Sequence, residues 1–133
     1  MPYRILVADD DDGFRFPVVN LFRDYGYEVL EAVDRNGVME EAPKCDIWFV
    51  DVRLPTGQQE GILAVYDLVK SRKQVPRYPV IFISVLEASF AAGNLRKLDD
   101  LQVRYEWIQK PCELELLLEH VRDILSEESP DAE

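Results

Sequence analysis

Apolar residues recur along the chain in two alternating rhythms. Residues 5–8, 47–50 and 80–83 are continuous apolar runs rich in β-branched and aromatic side chains. Such runs mark strands buried on both faces of a parallel sheet. Two further strand-like stretches are mixed: residues 27–32 are broken by Glu28 and Glu31, and residues 103–108 alternate Val103, Tyr105 and Trp107 with Arg104 and Glu106. These predict half-exposed edge strands. Between the runs, apolar positions fall at helical spacing. The sets are Phe14, Val18, Leu21, Phe22 and Tyr25; a short one of Val38, Met39 and Ala42; then Ile62, Val65, Tyr66 and Val69. Two more follow: Ala88, Ala91, Ala92, Leu95 and Leu98, then Leu114, Leu117, Leu118, Val121, Ile124 and Leu125. Pro17 lies inside the first set and is expected to distort that helix or confine it to a ragged start.

Five strands alternating with five helices give a (βα)5 pattern. Right-handed crossovers then predict an α/β doubly wound parallel sheet with helices on both faces. Three buried and two edge strands fit the flavodoxin-like order 2-1-3-4-5. Residues 1–125 are expected to form one domain. Residues 126–133 are polar, acidic and contain Pro130, and predict an acidic tail or linker stump.

Composition narrows the function classes. The 133 residues carry 26 acids against 15 bases, a formal net charge of −11. That balance opposes generic binding to nucleic acid or anionic membrane. No segment approaches the roughly 20 apolar residues of a bilayer span. The start of the chain lacks a signal-peptide layout, so a cytoplasmic location is expected. Cys45 and Cys112 make no disulfide framework and are expected at opposite ends of the sheet, too far apart to bond. His120 is the only histidine, which removes zinc spacing and weakens any Ser-His-Asp or Cys-His reading. It is read as an exposed helix residue.

The remaining polar residues fall where strands end. In an open α/β sheet, ligands bind beyond the carboxyl ends of the strands, at the point where the winding reverses. Strand 1 ends in Asp9 and Asp10, strand 3 in Asp51 and strand 4 in Ser84, while Lys110 and Pro111 follow strand 5. Three converging carboxylates repel one another unless a hard cation or a raised pKa relieves them. Mg2+ suits a site of few carboxylates, one carbonyl and several waters. With Lys110 and Ser84 added, the set suits a phosphoryl group, with Asp51 as the attacking oxygen.

These motifs resemble the receiver domain of two-component response regulators over nearly the whole chain, from about residue 3 to residue 125. The resemblance rests on residues 5–11 (Ile-Leu-Val-Ala-Asp-Asp-Asp), residues 46–55 ending in Asp51-Val52-Arg53-Leu54-Pro55, residues 79–84 ending in Ser84, and residues 107–111 (Trp-Ile-Gln-Lys-Pro). Arg15 sits where the family's first helix often carries Arg. The resemblance implies that Asp51 accepts a phosphoryl group from a sensor histidine kinase or a histidine phosphotransfer protein. It implies that Asp9 or Asp10, with Asp51 and the backbone carbonyl of Arg53, holds Mg2+, while Ser84 and Lys110 bind phosphoryl oxygens. Trp107 takes the position of the switch aromatic, whose movement remodels the surface of helix 4, strand 5 and helix 5. A downstream protein or a second protomer docks there. Such a domain catalyses only its own phosphorylation and dephosphorylation. Asp11 and Asp12 are read instead as first-turn residues of helix 1, favourable at its positive end.

Several positions depart from the family pattern. The turn over residues 56–61 looks about two residues longer than usual. Val85 stands where the family prefers Ala or Gly, and should narrow access to an acyl phosphate. Cys112 replaces a Phe and is read as a small core residue. Residues 70–77 form a long basic link, read as a solvated loop. Residues 86–102 predict a longer or displaced helix 4.

Two alternatives stand beside this reading. Asp10-Asp11-Asp12-Gly13 fits the Asp-x-Asp-Gly of haloacid-dehalogenase-type phosphatases, but Phe14 follows where Thr or Ser is usual. A receiver-like interaction module that is never phosphorylated is the second. Retention of Asp9, Asp10, Asp51, Ser84 and Lys110 favours phosphorylation over it.

Overall fold

All three apolar runs become central strands of one parallel sheet. The computed structural model describes residues 2–128. The strands are β1 (Arg4–Ala8), β2 (Glu28–Ala32), β3 (Ile47–Asp51), β4 (Val80–Ser84) and β5 (Tyr105–Gln109). Their order is β2-β1-β3-β4-β5, all parallel. The winding reverses between β1 and β3, as predicted. β3 and β4 are buried throughout, whereas β2 and β5 are partly exposed edges.

Side chains alternate across the sheet and build two cores. Leu6, Ala8, Trp48, Val50 and Phe82 pack on one face, under α2 (Arg35–Glu41), α3 (Glu60–Arg72) and α4 (Ala92–Asp100). Ile5, Val7, Phe49, Ile81 and Ile83 pack on the other, under α1 (Asp12–Asp24) and α5 (Leu114–Glu128). Phe22 of α1 meets Phe49 with ring centroids 5.1 Å apart. Burying each such side chain contributes about 1.5–3 kcal/mol.

One expectation is corrected and two are made specific. α1 runs unbroken through Pro17. Pro17 and Gly13, four residues earlier, are both exposed, so water can take the carbonyl that loses its amide donor. Helix 4 is displaced rather than lengthened: a 3-10 turn over Ala88–Ala91 precedes the nine residues of α4. α5 continues to Glu128, past the expected boundary at residue 125, because serine and glutamate tolerate a final helical turn. The rest of the expected tail, residues 129–133, lies outside the described residues. Among the described residues, no helix is long and apolar enough to cross a membrane.

Candidate functional site

The chain turns sharply after β1, and that turn is held by its own carboxylates. The Asp9 amide donates to the Ala32 carbonyl at 3.0 Å, keeping residue 9 in line with the sheet. Its buried carboxylate, only 1% exposed, accepts from the Asp11 amide at 2.9 Å and from Lys110 Nζ at 2.8 Å. Asp10 next to it is exposed. Asp11 caps α1, accepting from the Gly13 amide at 2.9 Å, and Asp12 sits in the first turn, as expected. Asp12 pairs with Arg15 at 2.6 Å. Of the Asp-x-Asp-Gly motif, therefore, Asp10 turns toward the acid cluster while Asp12 is held by a guanidinium.

Asp51 closes β3 and is 8% exposed. One oxygen accepts from the Arg53 amide at 3.1 Å, and the other lies 3.4 Å from Lys110 Nζ. Burial, and then the neighbouring charge of Asp9, push its carboxyl up to about 7, against the opposing pull of Lys110 and the Arg53 amide. Burial pulls the Lys110 ammonium down, but its hydrogen bond to Asp9 and the charges of Asp51 and Asp9 outweigh that, leaving it raised. Lys110 is placed by its backbone, whose amide donates to the Ser84 carbonyl at 2.7 Å. A cis peptide bond joins it to Pro111.

Carboxylate oxygens of Asp9, Asp10 and Asp51 all lie within 4.8 Å of one another. Asp10 and Asp51 border an open cavity of about 620 Å³, whose lining also includes Arg53, Ser84, Val85 and Lys110. An all-oxygen donor set with crowded negative charge fits a hard divalent cation. The raised carboxyl of Asp51 reflects its burial first and the neighbouring Asp9 charge second.

Ser84 ends β4 and is buried; its Oγ accepts from the Leu86 amide at 3.0 Å. The Leu86 carbonyl in turn accepts from Trp107 Nε1 at 2.9 Å. Trp107 does not line the cavity. It is half-buried on β5, beside the Phe82 ring at 6.3 Å. Leu86 thus joins the predicted phosphoryl-binding serine to the predicted switch aromatic through one residue's two backbone groups.

Several contributors were not recognised as such in the sequence. Arg15 is 6% exposed and also donates to the Asp9 carbonyl at 2.7 Å and to Glu31 at 2.9 Å. Its signal was its place on the apolar face with Val18, Val19 and Phe22, all buried in α1. Phe14 presents its ring to Lys110 Nζ, 4.2 Å from the centroid. Gly61 packs so closely on β3 that an added Cβ would sit 2.0 Å from the Asp51 carbonyl oxygen. The longer loop after Pro55 is folded, with a Leu54–Gly57 bridge and Thr56 at φ 88°. It is tied to α4, because Gln59 accepts from Asn94 at 2.7 Å and donates to the Phe90 carbonyl at 3.2 Å.

The histidine expectation is corrected. His120 is half-buried and meets Glu106 of β5 at 2.6 Å, because residues on α5 and β5 distant in sequence face each other in the fold. Cys45 and Cys112 are free thiols. Burial pushes Cys45 up to about 12.

Solved structures share this architecture. A CheY-like response regulator receiver domain protein from Methanospirillum hungatei JF-1 is 22% identical, with a TM-score of 0.77 over 96% of both chains. The chemotaxis protein CheY4 of Vibrio cholerae is 22% identical, with a TM-score of 0.75 over 93% of this chain and 99% of that one. NtrX from Brucella abortus, 24% identical with a TM-score of 0.74, is matched over 96% of this chain but 28% of its own length. A comparison with curated proteins finds no match. The family model described as the response regulator receiver domain matches residues 5–122. Fold, strand-end chemistry and family match coincide, and the chain belongs to the response regulator receiver domain family.

Proposed function

We propose that this domain is a switch operated by phosphorylation of Asp51. The observation that carries the reading is the meeting of Asp9, Asp10 and Asp51 within 4.8 Å, with Lys110 bridging Asp9 and Asp51. In the proposed step, an Asp51 carboxylate oxygen attacks the phosphorus of a phosphohistidine. The P–N bond breaks, its electron pair leaves with the imidazole, and an acyl phosphate forms. Asp9, Asp10, Asp51 and the Arg53 carbonyl would hold Mg2+, which supplies positive charge beside the phosphoryl oxygens. Lys110 supplies the fixed cation on the other side.

Ser84 Oγ is the group that changes partner. To donate to a phosphoryl oxygen it reorients and releases the Leu86 amide. That frees the Leu86 backbone, whose carbonyl holds Trp107 Nε1, and the effect passes to the surface of α4, β5 and α5. A downstream protein or a second protomer reads that surface. The donor is a sensor histidine kinase or a histidine phosphotransfer protein, and the domain works in the cytoplasm. It turns over no substrate other than its own phosphoryl group.

Beryllium fluoride with Mg2+ tests the reading, because it mimics a phosphoryl group on Asp51. Trp107 fluorescence should change in the native protein and not in Asp51→Asn, which also controls for Trp48. An unchanged native signal would overturn the proposed switch.

A further inference from the structure

We propose that the pole of the sheet opposite the acid cavity docks an acidic peptide segment of a partner protein, inserting one apolar side chain. The sequence marks this pole by charge. In a chain with 26 acids among 133 residues, the 12 residues 68–79 that lead into β4 contain none, and hold Lys70, Arg72, Lys73 and Arg77. Lys70 and Arg72 lie in the last turn of α3, where bases suit the helix dipole. The same holds for Lys73, the C-cap residue, but not for Arg77, four residues further on.

The segment is held rather than loose. Lys73 adopts φ 53°, turning the chain out of α3. Arg104 Nη2 donates to the Arg77 carbonyl at 2.6 Å. Tyr78 is buried, edge-on to Tyr3 with centroids 6.4 Å apart, and carries the Arg77 guanidinium 5.4 Å above its ring.

Beneath it lies a groove of about 180 Å³, lined by Pro43, Trp48, Val75 and Tyr78, with Arg72 and Arg77 beside them. An apolar cavity of about 150 Å³ takes a benzene, so the groove fits one Leu or Phe side chain. Val75 is 44% exposed at its rim. Asp46 also lines the groove, but its carboxylate accepts from the Arg4 amide at 2.8 Å. Among the residues lining the groove, the guanidiniums of Arg72 and Arg77 outnumber the one carboxylate of Asp46, which favours an acidic partner here. Polyphosphate backbones gain little from one apolar slot. An acidic peptide with a single apolar anchor uses both features.

The test titrates the full chain with a short labelled peptide alternating Glu and Leu, followed by anisotropy and by NMR shifts. The expected result is saturable binding that weakens with salt and shifts the Trp48 indole and the amides of Val75 and Tyr78. Affinity should fall about tenfold or more in Arg72→Glu/Lys73→Glu, both exposed positions, and also in Val75→Glu. Unchanged affinity in these variants, shifts confined to other faces, or tighter binding of a DNA oligonucleotide at the same residues would each overturn the proposal. None of these readouts depends on phosphorylation.

Discussion

Replacing Asp51 with Asn should stabilise the protein, and the gain should grow with pH. Asn keeps the side-chain shape and removes a buried charge crowded by Asp9. The gap between an unfolded-chain value of 3.8 and a folded value of about 7 corresponds to about 4 kcal/mol, at about 1.4 kcal/mol per pKa unit. The pull of Lys110 is already contained in that net shift, so the gain above neutrality is about 4 kcal/mol. The sign follows from a folded pKa raised above the unfolded one. The native carboxyl's contribution is fully present below the unfolded value and is lost as pH rises through about 7. Urea unfolding near pH 5 and near pH 8 without divalent ions, as rough settings either side of that value, reads the difference. The variant's advantage should be larger at the higher pH. Adding Mg2+ should then stabilise the native protein and narrow the gap, since a ligand that binds only the folded state stabilises it. A variant less stable than the native protein at the higher pH, or an advantage independent of pH, would refute the reasoning.

Other perturbations test the frame around the site. Gly61→Ala should cost about 1–3 kcal/mol and weaken Mg2+ binding, because its Cβ meets the Asp51 carbonyl oxygen at 2.0 Å; calorimetry with and without Mg2+ reads both. Gly93→Ala, with open space around its Cβ, is the contrast and should be neutral or stabilising by up to about 1 kcal/mol. Arg15→Met removes the donor to the Asp9 carbonyl and the partner of the partly exposed Glu31 and Asp12, and should cost about 1–2 kcal/mol in chemical denaturation. Val85→Ala should speed attack by water and small phosphodonors, measured by phosphoprotein decay and labelling, because Val85 borders the cavity with 62% exposure; equal rates in both proteins would count against steric gating.

The strand order was legible because burial leaves a continuous apolar trace, plain at residues 47–50 and 80–83. The acid cluster was legible because strand ends in a parallel sheet converge whatever the helices do. What could not be read were contacts set by helix rotation and loop path. Arg15 was placed by resemblance alone, and its contact with the Asp9 carbonyl followed only once α1 turned it inward. His120 found Glu106 only through packing of α5 on β5. Gln59 lies in a loop whose path no periodicity describes, yet it meets Asn94 and Phe90. Pro17 misled because local propensity takes no account of which side of a helix faces water.

The central claim is that Asp51 carries the phosphoryl group, and intact-protein mass spectrometry tests it most directly. After incubation with Mg2+ and a small phosphodonor such as phosphoramidate, the native protein should gain the mass of one phosphoryl group, labile to hydroxylamine as an acyl phosphate is. The gain should vanish in Asp51→Asn and on chelation of the metal. A phosphoryl group retained in Asp51→Asn, or none in the native protein, would contradict the account.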